Sequence, residues 1–217
     1  MTLHFSENSV SQSVSPSLLY VLRHGETDWN VEKRLQGRTD TSLNEQGRRQ
    51  ARRHGDALAQ VLSSTSQTKD LKNELAEWHF VSSPLKRCRE TMEIVLDRLG
   101  HSSHSFSVDD RLIEISFGEW EGQRWEDLYM SEPELVKARF ENPWVDCAPG
   151  AETYTDLEKR VLDWYACLPA KTIAVTHSGP SRILRRSVSQ MPKEQVLDLQ
   201  SPQDRFIKIS GNRFEWI

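Results

Sequence analysis

The chain has 217 residues, of which 36% are hydrophobic and 28% charged, and its 28 basic and 32 acidic side chains give a formal net charge of −4. A chain of this length can bury a substantial core, and its acidic balance lacks the basic footprint of general nucleic-acid binding. This charge balance leads us to expect no nucleic-acid partner. No apolar run reaches the length of a bilayer crossing, so we also expect no membrane partner.

The N-terminal segment and the cysteines favour a cytoplasmic protein. Residues 1–17 are rich in serine and lack the basic segment and apolar core of a secretory signal, so we predict a disordered tail. Cys88, Cys147 and Cys167 are odd in number and lack C-x-x-C spacing, which argues against a disulfide framework or a structural zinc site. We expect residues 18–217 to form a single domain.

Strand-like and helix-like stretches alternate from residue 18 onward. Strand-forming runs occupy 18–23, 78–82, 108–115, 172–176, 205–209 and 213–217, with a turn at Gly211 and Asn212 between the last two. Helical periodicity occupies 45–62 after an N-cap at Asn44, a stretch opened by Ser83 and Pro84, 154–168, and a stretch from about Pro180. This order predicts an α/β fold, a three-layer α/β/α sandwich with a mostly parallel central sheet.

Residues 119–150 do not follow that alternation. They are rich in aromatic and acidic residues and contain scattered prolines. We predict a helical excursion that covers one end of the sheet.

Polar clusters follow three of the predicted strands, and a fourth cluster lies at the end of the run at 108–115. They are Arg23-His24-Gly25-Glu26-Thr27 with Asn30, Gln36 and Gly37 beyond it, Ser82-Ser83-Pro84 with Arg87, Thr176-His177-Ser178-Gly179-Pro180, and Leu112-Ile113-Glu114. The carboxyl ends of parallel strands lie on one rim of a sheet, so two arginines and two histidines are expected to converge there. Guanidinium groups and helix N-termini bind phosphate, and glycines at 25 and 179 would allow the backbone to approach it closely.

Each of these residues also has an ordinary structural explanation. Arg87 alone could be a solvated helix residue, His177 a hydrogen-bonded core histidine, and Glu114 a surface acid beside a turn. Their joint occurrence at matching strand ends favours a common anion site over three unrelated explanations.

The motif R-H-G-E-T at 23–27 resembles the signature of the histidine phosphatase superfamily, also called the phosphoglycerate mutase-like family. The segments NVEKRLQGRTDTSLNEQGRRQA, SSPLKRCRET, LIEISFGEWEG and VTHSGP follow in the family's order, so the resemblance covers nearly the whole chain from residue 18. It implies the phosphoglycerate mutase-like fold, in which we expect the excursion at 119–150 to cap the site. The roles it implies are His24 as a nucleophile that forms a phosphohistidine, Arg23, Arg87 and His177 as ligands of the phosphoryl oxygens, Glu114 as the proton donor, and Asn30, Gln36, Gly37 and Ser178 as less direct contacts to the phosphate.

The implied chemistry is consistent with these side chains. Phosphoryl transfer needs alignment and neutralisation of the phosphoryl oxygens, which two arginines can supply without a metal or another cofactor. Flanking cations should lower the pKa of His24 and keep its imidazole neutral. One departure from the family is Ser178, where glycine is usual; either the serine donates to the anion, or the backbone does not require glycine there.

Three functions remain open at this point. A phosphatase acting on a small phosphorylated metabolite, with phosphate ion as product, is favoured over a phosphoglycerate mutase because 115–150 carry three basic and eight acidic side chains. A mutase should place additional cations there, whereas the aromatic residues of this segment suit a partly apolar substrate. A non-catalytic module that binds a phosphorylated ligand is the third possibility. The sequence does not indicate the oligomeric state.

Overall fold

The computed structural model describes residues 18–65 and 70–217, so the predicted disordered tail lies outside the described residues. Within them, a mixed sheet has the strand order β3-β2-β4-β1-β5-β6. The strands are β1 Leu18–Arg23, β2 His79–Ser82, β3 Ser107–Val108, β4 Lys171–Thr176, β5 Ile207–Ser210 and β6 Arg213–Trp216. The β1–β4, β4–β2 and β2–β3 pairs are parallel, and the two pairs that involve β5 are antiparallel.

Helices flank both faces of this sheet. They are α1 Asp28–Val31, α2 Glu45–Thr65, α3 Leu71–Leu75, α4 Lys86–Arg98, α5 Trp125–Ser131, α6 Pro133–Glu141, α7 Tyr154–Tyr165 and α8 Ser178–Val188. Asn44 caps α2 as predicted, because its side-chain oxygen accepts from the Gly47 N–H at 2.8 Å. No helix in the described part of the chain is long and apolar enough to cross a bilayer.

The alternation of side chains along β1 produces the three layers. Tyr20 and Leu22 pack with the buried faces of α2 and α4, whereas Leu19 and Val21 pack with those of α7 and α8. All four side chains are buried, so each face of the strand contributes to a separate apolar core. The predicted α/β/α fold with a mostly parallel sheet is confirmed.

The predicted strand at 108–115 is wrong except at its first residue. After Val108 the chain enters a 3₁₀ helix, Asp110–Leu112, whose first N–H groups are capped by Asp109. The Asp109 carboxylate accepts from the backbone N–H of Arg111 at 2.9 Å and binds its guanidinium at 2.7 Å. This local pairing turns the chain away from the sheet edge, since Asp favours caps over strand positions.

Residues 119–150 contain two helices, α5 and α6. A 3₁₀ helix, Gly118–Trp120, precedes α5 and α6. Trp120, Leu128, Val136 and Ala148 pack against Leu35 in a small apolar cluster of their own. The excursion is therefore anchored to the chain that follows β1, close to the carboxyl ends of the strands.

Candidate active site

His24 and His177 lie side by side at the carboxyl ends of neighbouring strands. Arg23 and Thr176 are register partners in β1 and β4, and the His24 N–H donates to the Thr176 carbonyl at 3.0 Å. The two imidazole centroids are 5.1 Å apart with an interplanar angle of 59°. Both rings are buried, with exposed fractions of 2% and 0%. The predicted convergence of the two histidines is thus observed.

The local backbone fixes the tautomer of His24. Its Nδ1 lies 2.7 Å from the Gly25 carbonyl oxygen, which can only accept, so Nδ1 carries the proton and Nε2 the lone pair. Burial lowers the pKa of His24 well below its ordinary value, and Arg87 and Arg23 lower it further. A neutral imidazole with a free Nε2 lone pair is the form required of a nucleophile.

His177 is held from the β2–α4 connection. Its Nε2 is 2.7 Å from the Ser83 hydroxyl and 3.3 Å from the Cys88 sulfur. The helix α4 begins at Lys86 with Leu85 as N-cap, two residues later than the Ser83-Pro84 opening predicts. Burial lowers the pKa of His177 well below its ordinary value, with Arg87 the next cause.

Two guanidinium groups lie in the same buried region. Arg87 is fully buried, and its Nη1 and Nη2 donate to the carbonyl oxygens of Thr39 and Gly37, both at 2.8 Å. Arg23 donates Nη1 to the Ser201 carbonyl at 2.5 Å. The Nε of each arginine is buried and has no hydrogen-bond partner among the described residues. Burial lowers the pKa of Arg23 to about 10 and also lowers that of Arg87, which leaves both as cations at neutral pH.

Neither guanidinium forms an ion pair within residues 18–65 and 70–217. The nearby carboxylate, Glu114, instead accepts backbone N–H groups from Ile115 at 2.9 Å, Ser178 at 3.1 Å and Gly179 at 2.9 Å. It thereby occupies the N-terminus of α8, where the helix dipole favours negative charge. Buried cations without a carboxylate partner favour an oxyanion ligand, and a planar guanidinium suits phosphate.

Four further residues were expected to contact the phosphate less directly, and each supports a different part of the site. Asn30 accepts from the Thr27 N–H at 3.1 Å, and Gln36 accepts from the Thr27 hydroxyl at 3.0 Å. Gly37 supplies a carbonyl to Arg87 and has φ +48°, and a Cβ there would lie 2.1 Å from an oxygen of Glu121. Ser178 starts α8 without a positive φ, so the backbone does not require the glycine usual there.

The two glycines expected to approach an anion are required by other neighbours. A Cβ on Gly25 would lie 2.3 Å from the Gly47 carbonyl oxygen, and a Cβ on Gly179 would lie 2.6 Å from the Glu114 carboxylate. Gly25 therefore allows the loop after β1 to pack on the start of α2. Gly179 allows Glu114 to reach the start of α8.

Further residues that hold the site were not identified from the sequence. Thr91, one turn after Arg87, accepts from the Gly25 N–H at 3.1 Å. Gln203, in the loop before β5, donates to the His24 carbonyl at 3.1 Å and to Asn30 at 3.2 Å. Thr91 has a signal in its spacing on α4, whereas Gln203 is 179 positions from its partner and carries none.

A pocket of about 170 Å³ lies beside the segments that carry Glu114 and His177. It is lined by Phe117, Trp125, Arg139, Phe140, Tyr154, Arg182 and Leu197. Phe117 is three positions after Glu114, and Arg182 lies on the helix that begins directly after His177. No three His, Cys, Asp or Glu side chains cluster as metal ligands would in the described part of the chain.

Comparison with known proteins agrees with this geometry. A probable phosphoglycerate mutase of Erwinia tasmaniensis is 26% identical over 204 residues, which cover 92% of this chain and 87% of the relative. Phosphoglycerate mutase-like protein 4 of Arabidopsis thaliana is 31% identical over 196 residues, covering 87% and 79%. A mycobacterial glucosyl-3-phosphoglycerate phosphatase solved with VO3 superposes with a TM-score of 0.69 at 27% identity, covering 93% of this chain and 96% of that one. The model of the histidine phosphatase superfamily (branch 1) matches residues 19–216, and the chain belongs to that superfamily.

Proposed function

We propose that this protein is a metal-independent phosphatase that hydrolyses a small phosphomonoester through a phosphohistidine on His24. The observation that carries the proposal is the pair of buried guanidinium Nε–H groups on Arg23 and Arg87. Within the described part of the chain they have no hydrogen-bond partner and their guanidinium groups form no ion pair, and they lie beside a neutral imidazole. Such a constellation matches an attacking nitrogen and a phosphoryl group with negative oxygens.

In the first step the Nε2 lone pair of His24 forms the N–P bond as the ester P–O bond breaks. The departing oxygen takes a proton from Glu114, whose carboxyl is held at the start of α8 by backbone donors. Its Oε1 accepts from both Ile115 and Gly179, so Oε2, which accepts only from the Ser178 N–H, keeps the lone pair that can carry this proton. In the second step water attacks phosphorus, Glu114 accepts the water proton, the N–P bond breaks, and phosphate leaves with His24 restored.

Arg23, Arg87 and His177 bind the phosphoryl oxygens in this mechanism, while Gly37, Gln36, Asn30 and Ser178 position them. The structural neighbour solved with VO3 is a phosphatase that holds a phosphate-like oxyanion, which supports an oxyanion site in this chain. We further propose that residues 18–217 act as one catalytic domain, with 119–150 capping the site. The cytoplasmic location stays a prediction from the sequence.

A phosphoglycerate mutase is the second candidate, because relatives carry that name and because Arg139 and Arg182 line the adjacent pocket. A mutase would convert 3-phosphoglycerate to its isomer in a reaction primed by 2,3-bisphosphoglycerate. A phosphatase would release inorganic phosphate without that primer. Assaying both products with and without the primer separates the two activities.

Hydrolysis of 4-nitrophenyl phosphate in the presence of EDTA tests the proposal. We expect turnover that EDTA does not reduce, and near-complete loss in His24→Ala. The matched control is His104→Ala, which removes an exposed histidine outside the site and should retain full activity. Turnover that persists in His24→Ala, or that EDTA abolishes, would contradict the mechanism.

A further inference from the structure

The pocket beside the candidate active site combines aromatic walls with two cations. Its aromatic side chains are Phe117, Trp125, Phe140 and Tyr154. Trp125 lies 6.0 Å from Phe117 and 5.0 Å from Phe140, measured between ring centroids, so these rings form a continuous surface. Flat apolar groups pack well against such surfaces.

Arg139 is the unusual member of this pocket. It is only 5% exposed, its Nη1 is buried without a hydrogen-bond partner among the described residues, and its guanidinium lies 5.0 Å from the centre of the Tyr154 ring. None of the ion pairs found in 18–65 and 70–217 includes it. Tyr154 interacts with the guanidinium but is neutral. Burying a cation without a carboxylate, and with one of its donors unpartnered among the described residues, is unfavourable, so Arg139 favours an anionic ligand.

The net charge of residues 115–150 does not reveal the buried cation Arg139. The acidic side chains of 115–150 are exposed or half-buried, and Glu121 is bound by the backbone N–H groups of Arg38 and Thr39. Arg139 is the only fully buried charged side chain of the segment. The pocket is therefore positive although the segment is acidic.

Arg182 connects this pocket to the phosphate-binding region. It donates to the Tyr154 hydroxyl at 3.3 Å and to the Leu199 carbonyl at 2.8 Å. Burial is the main cause of the lowered pKa values of Arg23 and Arg139, and the charge of Arg182 lowers both further. One half-buried arginine thus lies within electrostatic range of the oxyanion site and of Arg139.

We propose that Arg139 is a specificity-determining residue that binds an anionic group, such as a carboxylate, on a flat apolar leaving group whose body packs against the aromatic walls. The proposal rests on the phosphatase function above, because the pocket receives the part of the ester beyond the phosphoryl group. It assigns the substrate class as phosphomonoesters of aromatic or similarly flat acids.

Matched substrates test the proposal. The values of kcat/KM are measured for 4-carboxyphenyl phosphate and for 4-carbamoylphenyl phosphate, which has the same shape without the charge. We expect the wild type to prefer the carboxylate, and we expect Arg139→Gln to reduce the ratio of the two values by about 10- to 100-fold, the range for a charge-assisted hydrogen bond. Using a ratio removes differences in folded fraction and in general catalysis.

Two controls define the outcome. Lys137→Gln removes an exposed cation from the same helix and should leave the ratio unchanged. In the wild type, 3-phosphoglycerate, a carboxylate without a flat apolar body, should be a poorer substrate than 4-carboxyphenyl phosphate. Equal wild-type values for the two phenyl esters, an unchanged ratio in Arg139→Gln, or a preference for 3-phosphoglycerate would overturn the inference. If 4-nitrophenyl phosphate is hydrolysed but neither of these esters is, the inference fails; if none of the three is hydrolysed, the proposed phosphatase function fails instead.

Discussion

Replacing Arg87 with Met removes the buried guanidinium of α4 while keeping most of its volume. The catalytic loss follows from its position, since Arg87 would neutralise charge on the transferring phosphoryl group. Loss of one such donor reduces kcat by about 10²- to 10³-fold. The variant also leaves the carbonyls of Thr39 and Gly37 without their donor, at about 1–3 kcal/mol each, but it removes an unpaired buried charge. We expect a net destabilisation of about 2 kcal/mol, which lowers Tm by about 4–8 °C.

The same substitution should change the pH dependence. After burial, Arg87 is the largest cause of the lowered pKa of His24, so its removal raises that pKa toward the ordinary value. The nucleophile must be neutral, and the acid limb of kcat/KM should therefore move to higher pH in Arg87→Met. Arg89→Met, which removes an exposed arginine from the same helix, is the matched control.

Steady-state kinetics over about two pH units either side of the ordinary histidine pKa of about 6.5, together with thermal unfolding, measure both effects. Normal turnover in Arg87→Met combined with a large fall in Tm would assign Arg87 a purely structural role. A pH profile identical to that of Arg89→Met would refute the electrostatic coupling to His24.

Three further predictions address other residues. Burial lowers the pKa of His54 to about 4, so the folded state does not take up the proton that the unfolded chain binds below about pH 6.5. Stability is therefore lost as pH falls, and between pH 7 and 5 urea unfolding of His54→Gln should show about 2 kcal/mol less loss than the wild type. Glu114→Gln should reduce kcat/KM for phenyl phosphate by about 10²- to 10⁴-fold but kcat/KM for 4-nitrophenyl phosphate far less, because kcat/KM reports formation of the phosphohistidine and nitrophenolate leaves without a proton; equal losses in kcat/KM would contradict the donor role. Gly37→Ala should lower both stability and kcat because its Cβ meets Glu121, whereas Gly100→Ala, also at positive φ but in open space, should lose only about 1 kcal/mol of stability; similar effects in both would contradict that explanation.

The sequence allowed the rim of the sheet to be predicted because its signals are local. Apolar runs that end in Arg23-His24 and Thr176-His177 specify strand ends, and parallel strands then bring the two imidazoles together. The strand at 108–115 was wrong because Asp109 and Arg111 form a short-range cap that periodicity does not detect.

The net charge of a segment predicted the site less well than the residues at the strand ends did. The total for 115–150 gives no indication of which side chain is buried, and burial of Arg139 depends on the packing of α6 against Tyr154 from α7. The contact of Gln203 with His24 likewise joins distant segments through an irregular loop. Such long-range contacts arise from tertiary packing and leave no periodic trace in the sequence.

The most direct test of the central claim is identification of the phosphorylated residue. The enzyme is mixed with a phosphomonoester, quenched within milliseconds under alkaline conditions, digested and analysed by mass spectrometry. We expect one acid-labile phosphoryl group on His24, absent from His24→Ala and present in His104→Ala. Phosphate bound covalently at His177, at Cys88 or at a serine, or turnover without any phosphoenzyme, would contradict the account.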